Sequence, residues 1–200
     1  MNHNYLYQQY LLSRDLIFDL DNTLINEKAY IFSSYEEIKE IIKKKNNIDI
    51  KDFLQKEFLV YGRSLIYQKL IKKFKLNDFS LEEFKRTLYL NRNINSLETL
   101  SWFKEFIYCI NQPFNLNIIT NGNIVQQENK IRLLKLPPLV KIENVIYANN
   151  YKKKPNPESF FELKKIKKLK NPIFIGDSEV DRKFAENANI EFFKIGQKKA

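Results

Sequence analysis

Short apolar runs that close on a polar or acidic residue recur along this chain, and they constrain its fold more than any other feature. The first is Arg-Asp-Leu-Ile-Phe-Asp at 14–19. Similar runs follow at 116–120, 144–147, 172–177 and 190–195. Runs this short, rich in Ile, Val and Phe, predict buried strands. Helix-like stretches separate the later ones, at about 97–111, 123–135, 157–169 and 179–188. Strand alternating with helix predicts an α/β fold, with a parallel sheet covered by helices on both faces.

Residues 27–95 break this rhythm. Apolar residues recur there at three- and four-residue spacing: Ile38, Ile41 and Ile42, then Leu65, Ile66, Leu70 and Ile71, then Leu81, Phe84 and Leu88. That period predicts amphipathic helices, about four of them, inserted after the first strand. Ser80 followed by Glu83 reads as a capping box at one helix start. The predicted organisation is a core built from residues 1–26 and 96–200, with a helical insertion at 27–95.

Composition narrows the chemistry. The only histidine is His3, in a polar N-terminal stretch predicted to be loose. A Ser-His-Asp triad and a His-ligated zinc site are therefore disfavoured. Any catalysis must run on carboxylates, lysines, hydroxyls or the single thiol. The one cysteine, Cys109, rules out an intrachain disulfide framework and suits a reducing compartment. Neither a signal peptide nor a membrane-length apolar run stands out, so a cytoplasmic protein without membrane contact is expected. The net charge of +10 raises the question of a nucleic-acid partner. However, the lysine runs fall in helix-like segments and read as solvated faces, which argues against one. A basic field still favours an anionic substrate.

Four short motifs carry chemistry. Asp19-Leu20-Asp21-Asn22-Thr23 follows the first strand, and alternation points Asp19 and Asp21 the same way. Two carboxylates so placed call for a cation or a proton between them, although an acidic turn alone would also produce the pattern. Thr120-Asn121-Gly122 ends another strand and offers a hydroxyl and backbone N–H groups to an anion, or simply a turn. Lys154-Pro155-Asn156-Pro157 puts a cation just outside a helix start, where the dipole disfavours it unless an anion compensates. Lys152 and Lys153 compete for that position. Gly176-Asp177-Ser178-Glu179-Val180-Asp181 sets two acids four apart after a strand, as metal ligands, as helix caps, or as both. The four motifs fall at or just beyond the C-terminal ends of predicted parallel strands, the edge where open α/β sheets bind ligands.

Taken in order, the motifs resemble those of the haloacid dehalogenase superfamily. The likeness extends past the bare motifs: 18–24 reads FDLDNTL, 154–160 reads KPNPESF and 176–181 reads GDSEVD. The resemblance implies a Rossmann-like core with a helical C1-type cap, and a Mg²⁺-dependent hydrolase acting on a small phosphorylated metabolite. It implies Asp19 as nucleophile, Asp21 as general acid and base, and Thr120, Asn121 and Lys154 as phosphate-binding groups. It also implies that Mg²⁺ is held by Asp19, the Asp21 carbonyl and Asp177, with Asp181 acting through water or orienting its neighbours. Dehalogenase relatives resemble this motif but lack the second acid, so Asp21 favours phosphate over halide. The absence of histidine at 20–60 weighs against a sugar phosphomutase, the alternative reading. A phosphatase acting on nucleic-acid ends and a non-catalytic binding module are weaker alternatives.

Overall fold

The computed structural model describes residues 10–110 and 112–195; His3 lies outside them. Five strands form one parallel sheet: β1 (Asp15–Phe18), β3 (Phe114–Thr120), β5 (Val140–Tyr147), β6 (Pro172–Gly176) and β7 (Glu191–Lys194). Their order is β5-β3-β1-β6-β7, so β1 lies at the centre, between β3 and β6. From β1 the sheet grows first toward β5, then crosses back to β6. That reversal opens a crevice at the C-terminal ends of β1, β3 and β6.

Period-two alternation buries the three inner strands, β1, β3 and β6, on two sides. Leu16 and Phe18, Leu116 and Ile118, and Ile173 and Ile175 pack into one cluster. That layer is closed by α5 (Ser101–Ile110) through Phe103, Phe106, Ile107 and Ile110. Ile17, Ile119 and Phe174 point the other way, onto α7 (Glu158–Ile166) and α8 (Glu179–Asn187), with Phe160, Leu163 and Phe184. Near-continuous apolar strands such as Leu16-Ile17-Phe18 follow from this double coverage. Cutting Phe18, fully buried, to alanine would cost about 3–5 kcal/mol.

Between β1 and the two-residue strand β2 (Leu97–Glu98) lie four helices: α1 (Glu27–Asn46), α2 (Phe53–Tyr61), α3 (Ile66–Phe74) and α4 (Leu81–Leu90). They share a hydrophobic cluster of their own, including Ile38, Ile42, Leu54, Leu70 and Phe84. Among the described residues no helix is long and apolar enough to cross a membrane. The helix predicted at 97–111 begins four residues later, because Leu97 and Glu98 pair in parallel with β4 (Leu134–Lys135). Ser80 caps α4 through the Glu83 N–H at 3.0 Å, but only half the predicted box forms. The Glu83 carboxylate is drawn instead to Lys45, 2.6 Å away. The full box is at α8, between Ser178 and Asp181.

The turn after β1 is tightly tied. Leu24 N–H donates to the Leu20 carbonyl at 2.9 Å, Leu100 N–H to the Leu24 carbonyl at 2.8 Å, and the Trp102 indole to the Thr23 carbonyl at 2.7 Å. Asn22 takes the left-handed conformation this turn requires, φ 55°, which asparagine tolerates.

Candidate active site

Asp19 is the first residue beyond β1, its N–H held by the Ile175 carbonyl at 2.9 Å, and it is 7 % exposed. Lys154 reaches the same point from the loop before α7. Its ammonium donates to Asp19 Oδ1 and to Asp181 Oδ1, both at 2.6 Å. Its nitrogen also lies 4.9 Å from the centre of the Phe174 ring. Lys152 and Lys153 are exposed, so the competition among the three lysines is decided by burial.

Asn121 holds Lys154 in place. Its side chain accepts from the Lys154 N–H at 2.8 Å and donates to the Lys154 carbonyl at 3.0 Å. The sequence offered Asn121 as a phosphate group through its N–H, and its side-chain clamp on the lysine loop was not legible there.

Asp177, Asp181 and Asp19 each bring a carboxylate oxygen within 4.8 Å of the others. Asp181 is the most committed of the three. Its Oδ1 takes Lys154, and its Oδ2 takes the Ser178 N–H at 3.2 Å and hydroxyl at 2.6 Å. Gly176 permits this approach: a Cβ there would stand 2.6 Å from Asp181 Cβ. Asp177 is half-buried at the cavity wall, and Asp19 Oδ2 accepts no hydrogen bond among the described residues. An all-oxygen donor set of this kind fits a hard divalent cation, with Asp19 and Asp177 free to hold it directly and Asp181 already engaged.

Burial pushes the Asp19 carboxyl up to about 7; the Lys154 charge opposes this, while Asp181 and Asp21 reinforce it. Burial likewise raises Asp177, with help from the Asp181 charge. For Lys154 burial disfavours the ammonium, but the carboxylates of Asp19 and Asp181 outweigh it and keep the group charged.

Asp21 lines the same cavity but is held by other partners. Its carboxylate accepts from Lys130 at both oxygens, 2.7 Å each, and Oδ2 also accepts from Gln127 at 2.8 Å. Gln127 in turn donates to the Thr120 hydroxyl at 3.0 Å. Both partners sit on α6 (Ile124–Leu133), whose buried residues Gln126, Gln127, Asn129 and Lys130 are all polar. They find partners on the insertion: Gln126 donates to the Leu88 carbonyl at 3.0 Å and Asn129 to the Tyr30 hydroxyl at 2.8 Å. Sequence reasoning missed Lys130 and Gln127. Their spacing of three on a helix that begins just after Thr120-Asn121-Gly122 was the available signal, but it resembles any solvated polar face.

Around these groups lies a cavity of about 330 Å³. Asp19, Thr120, Lys154 and Asp177 line its floor, and Glu27 and Arg63, paired with each other, line the side contributed by the insertion.

Carboxylates gathered about a buried ammonium, at the switch point of a parallel sheet, define the class: an α/β protein with an acid–lysine centre. The chain belongs to the haloacid dehalogenase-like hydrolase family, which matches residues 16–195. Solved structures share the fold at low identity. A hydrolase from Streptococcus pneumoniae TIGR4 is 19% identical over 92% of this chain and 94% of its own, with a TM-score of 0.58. The putative HAD-hydrolase YfnB from Bacillus subtilis, bound to magnesium, is 20% identical over 90% and 86%, with a TM-score of 0.58. An L-2-haloacid dehalogenase is 14% identical over 93% and 88%, again with a TM-score of 0.58. Among curated proteins none matches the chain.

Proposed function

We propose that this hydrolase is a Mg²⁺-dependent phosphatase that transfers the phosphoryl group of a small phosphomonoester to Asp19 and then to water. The observation that carries this reading is the geometry of the two acids. Asp19 presents a free oxygen to the cavity, while Asp21, two residues on, lines the same cavity on a separate set of partners. Halide leaves without a proton, so dehalogenation has no use for Asp21; an alkoxide leaving group has.

In this reading Asp19 Oδ2 attacks phosphorus, the ester P–O bond breaks, and Asp21 gives a proton to the departing oxygen. Asp21 then takes a proton from water, which attacks the aspartyl-phosphate, and Asp19 is regenerated with release of phosphate. Lys154 offsets charge on the nucleophile and the phosphoryl group, and the Thr120 hydroxyl holds a phosphoryl oxygen. Mg²⁺, held by Asp19 and Asp177 and the Asp21 carbonyl, would supply charge neutralisation of the phosphoryl oxygens. YfnB, similar in fold, is bound to magnesium, which supports this choice of ion. Helices α1–α4 act as the cap, and Arg63 and Glu27 meet the leaving group.

The test is phosphate release from a panel of sugar phosphates, nucleoside monophosphates and phosphoglycolate, with and without Mg²⁺, beside chloride release from 2-chloropropionate. Metal-dependent phosphate release, abolished in Asp19→Asn, is expected. Halide release without phosphate release would overturn the proposal.

A further inference from the structure

We propose that Lys130, together with Gln127, is the positioning residue for the Asp21 carboxylate. The inference rests on the reading of Asp21 as the group that exchanges protons with the leaving group and water. Asp21, half-buried, bridges to Ile25 across the turn, and among the described residues the hydrogen bonds to its carboxylate come from α6. Lys130 fixes it: the side chain is 0 % exposed and its ammonium contacts both carboxylate oxygens at 2.7 Å. Gln127, one helical turn earlier, ties Oδ2 to the Thr120 hydroxyl. The carboxylate is thereby set in register with Thr120, the residue that holds a phosphoryl oxygen in the proposed reaction.

A stability role does not account for this arrangement. Replacing a buried ion pair with apolar side chains is commonly neutral or stabilising, so a lysine sealed inside a protein is weak evidence of a need for stability. What the pair supplies is direction. Tyr30 stacks beside the Lys130 nitrogen, 5.3 Å from its ring centre, and Glu27 lies 3.7 Å away. Both belong to the first helix of the insertion, so the same lysine joins Asp21 to the part of the chain that roofs the cavity.

The experiment compares wild type, Lys130→Met, Lys130→Arg, Gln127→Leu, Asp21→Asn and the Lys130→Met/Asp21→Asn double variant, with Mg²⁺. Two probes are used, glycerol 2-phosphate and p-nitrophenyl phosphate. Stopped-flow release of nitrophenolate separates attack by Asp19 from the later hydrolysis. We expect Lys130→Met to lower kcat on glycerol 2-phosphate at least tenfold, with KM within twofold of wild type. The nitrophenolate burst should persist, because that leaving group needs no proton. Lys130→Arg should recover kcat to within threefold. On the Asp21→Asn background Lys130→Met should have no further effect on the burst rate or the slow phase. A structural role would lower both backgrounds alike, and that result overturns the inference. Unchanged kcat in Lys130→Met, with Asp21→Asn inactive, overturns it while leaving the reading of Asp21 intact. Wild-type turnover by Asp21→Asn, or no turnover of either ester by wild type, removes both. If circular dichroism shows Lys130→Met unfolded, Gln127→Leu is judged by the same outcomes.

Discussion

Replacing Lys154 with methionine should test the electrostatics of the site most directly. The residue is 5 % exposed, and its ammonium is shared between Asp19 and Asp181 at 2.6 Å each. Methionine preserves much of the side-chain volume and removes the charge, so two buried carboxylates are left facing each other. Truncating one partner of a buried ion pair typically costs about 3–5 kcal/mol, a large share of a stability of about 5–15 kcal/mol. The protein's escape is proton uptake. Each pH unit by which the measurement is lowered relieves the cost by up to about 1.4 kcal/mol for a carboxyl that takes a proton. Urea unfolding in EDTA should therefore show a loss of about 3 kcal/mol or more at pH 8, shrinking steadily toward pH 5. On the proposed function, turnover should fall at least a hundredfold at every pH, since protons do not replace a cation beside a phosphoryl group. A loss below about 1 kcal/mol at pH 8, or one that does not depend on pH, would refute the claim that Lys154 balances this pair.

Two further predictions concern the site's surroundings. Gly122 has φ 129°, and a Cβ there would stand 2.9 Å from Gln127 Nε2; Gly122→Ala should cost about 1–3 kcal/mol in urea unfolding and lower kcat by displacing Gln127. Asp19 has its folded pKa raised to about 7 from an ordinary 3.8, so the native state keeps a proton that the unfolded chain has released. The stability linked to this group is full below pH 4 and lost as pH rises toward 7. The melting temperature in EDTA should fall across that window, and millimolar Mg²⁺ should flatten the fall by binding the carboxylate; identical curves with and without the ion would count against a metal at Asp19.

The strand–helix alternation made the α/β core legible, because apolar runs such as Leu16-Ile17-Phe18 and Ile173-Phe174-Ile175 can only be buried on two faces. The helices between the first two strands were legible through helical periodicity, in the four-residue spacing of Ile38 and Ile42 and of Ile66 and Leu70. Asp19, Lys154, Asp177 and Asp181 could be picked out as candidates because they stand beside strand ends and helix starts, although a turn or a helix cap would leave the same local pattern, and Asp181 is indeed part of a capping box. Local rules reach only neighbours in the chain, so they could not say which lysine of 152–154 would be sealed inside, nor that Asn121 clasps it by two hydrogen bonds.

Tertiary structure decided these points, and it also decided the partner of Asp21. Lys130 is 109 residues from Asp21 in sequence and sits on a helix whose polar face reads as solvated. Only when α6 packs against α4 of the insertion and reaches the turn after β1 does that face turn inward, and burial then makes an unremarkable lysine the ion-pair partner of the Asp21 carboxylate. Sequence period reports which side of a helix is polar; the assembled sheet determines whether water or a carboxylate meets it.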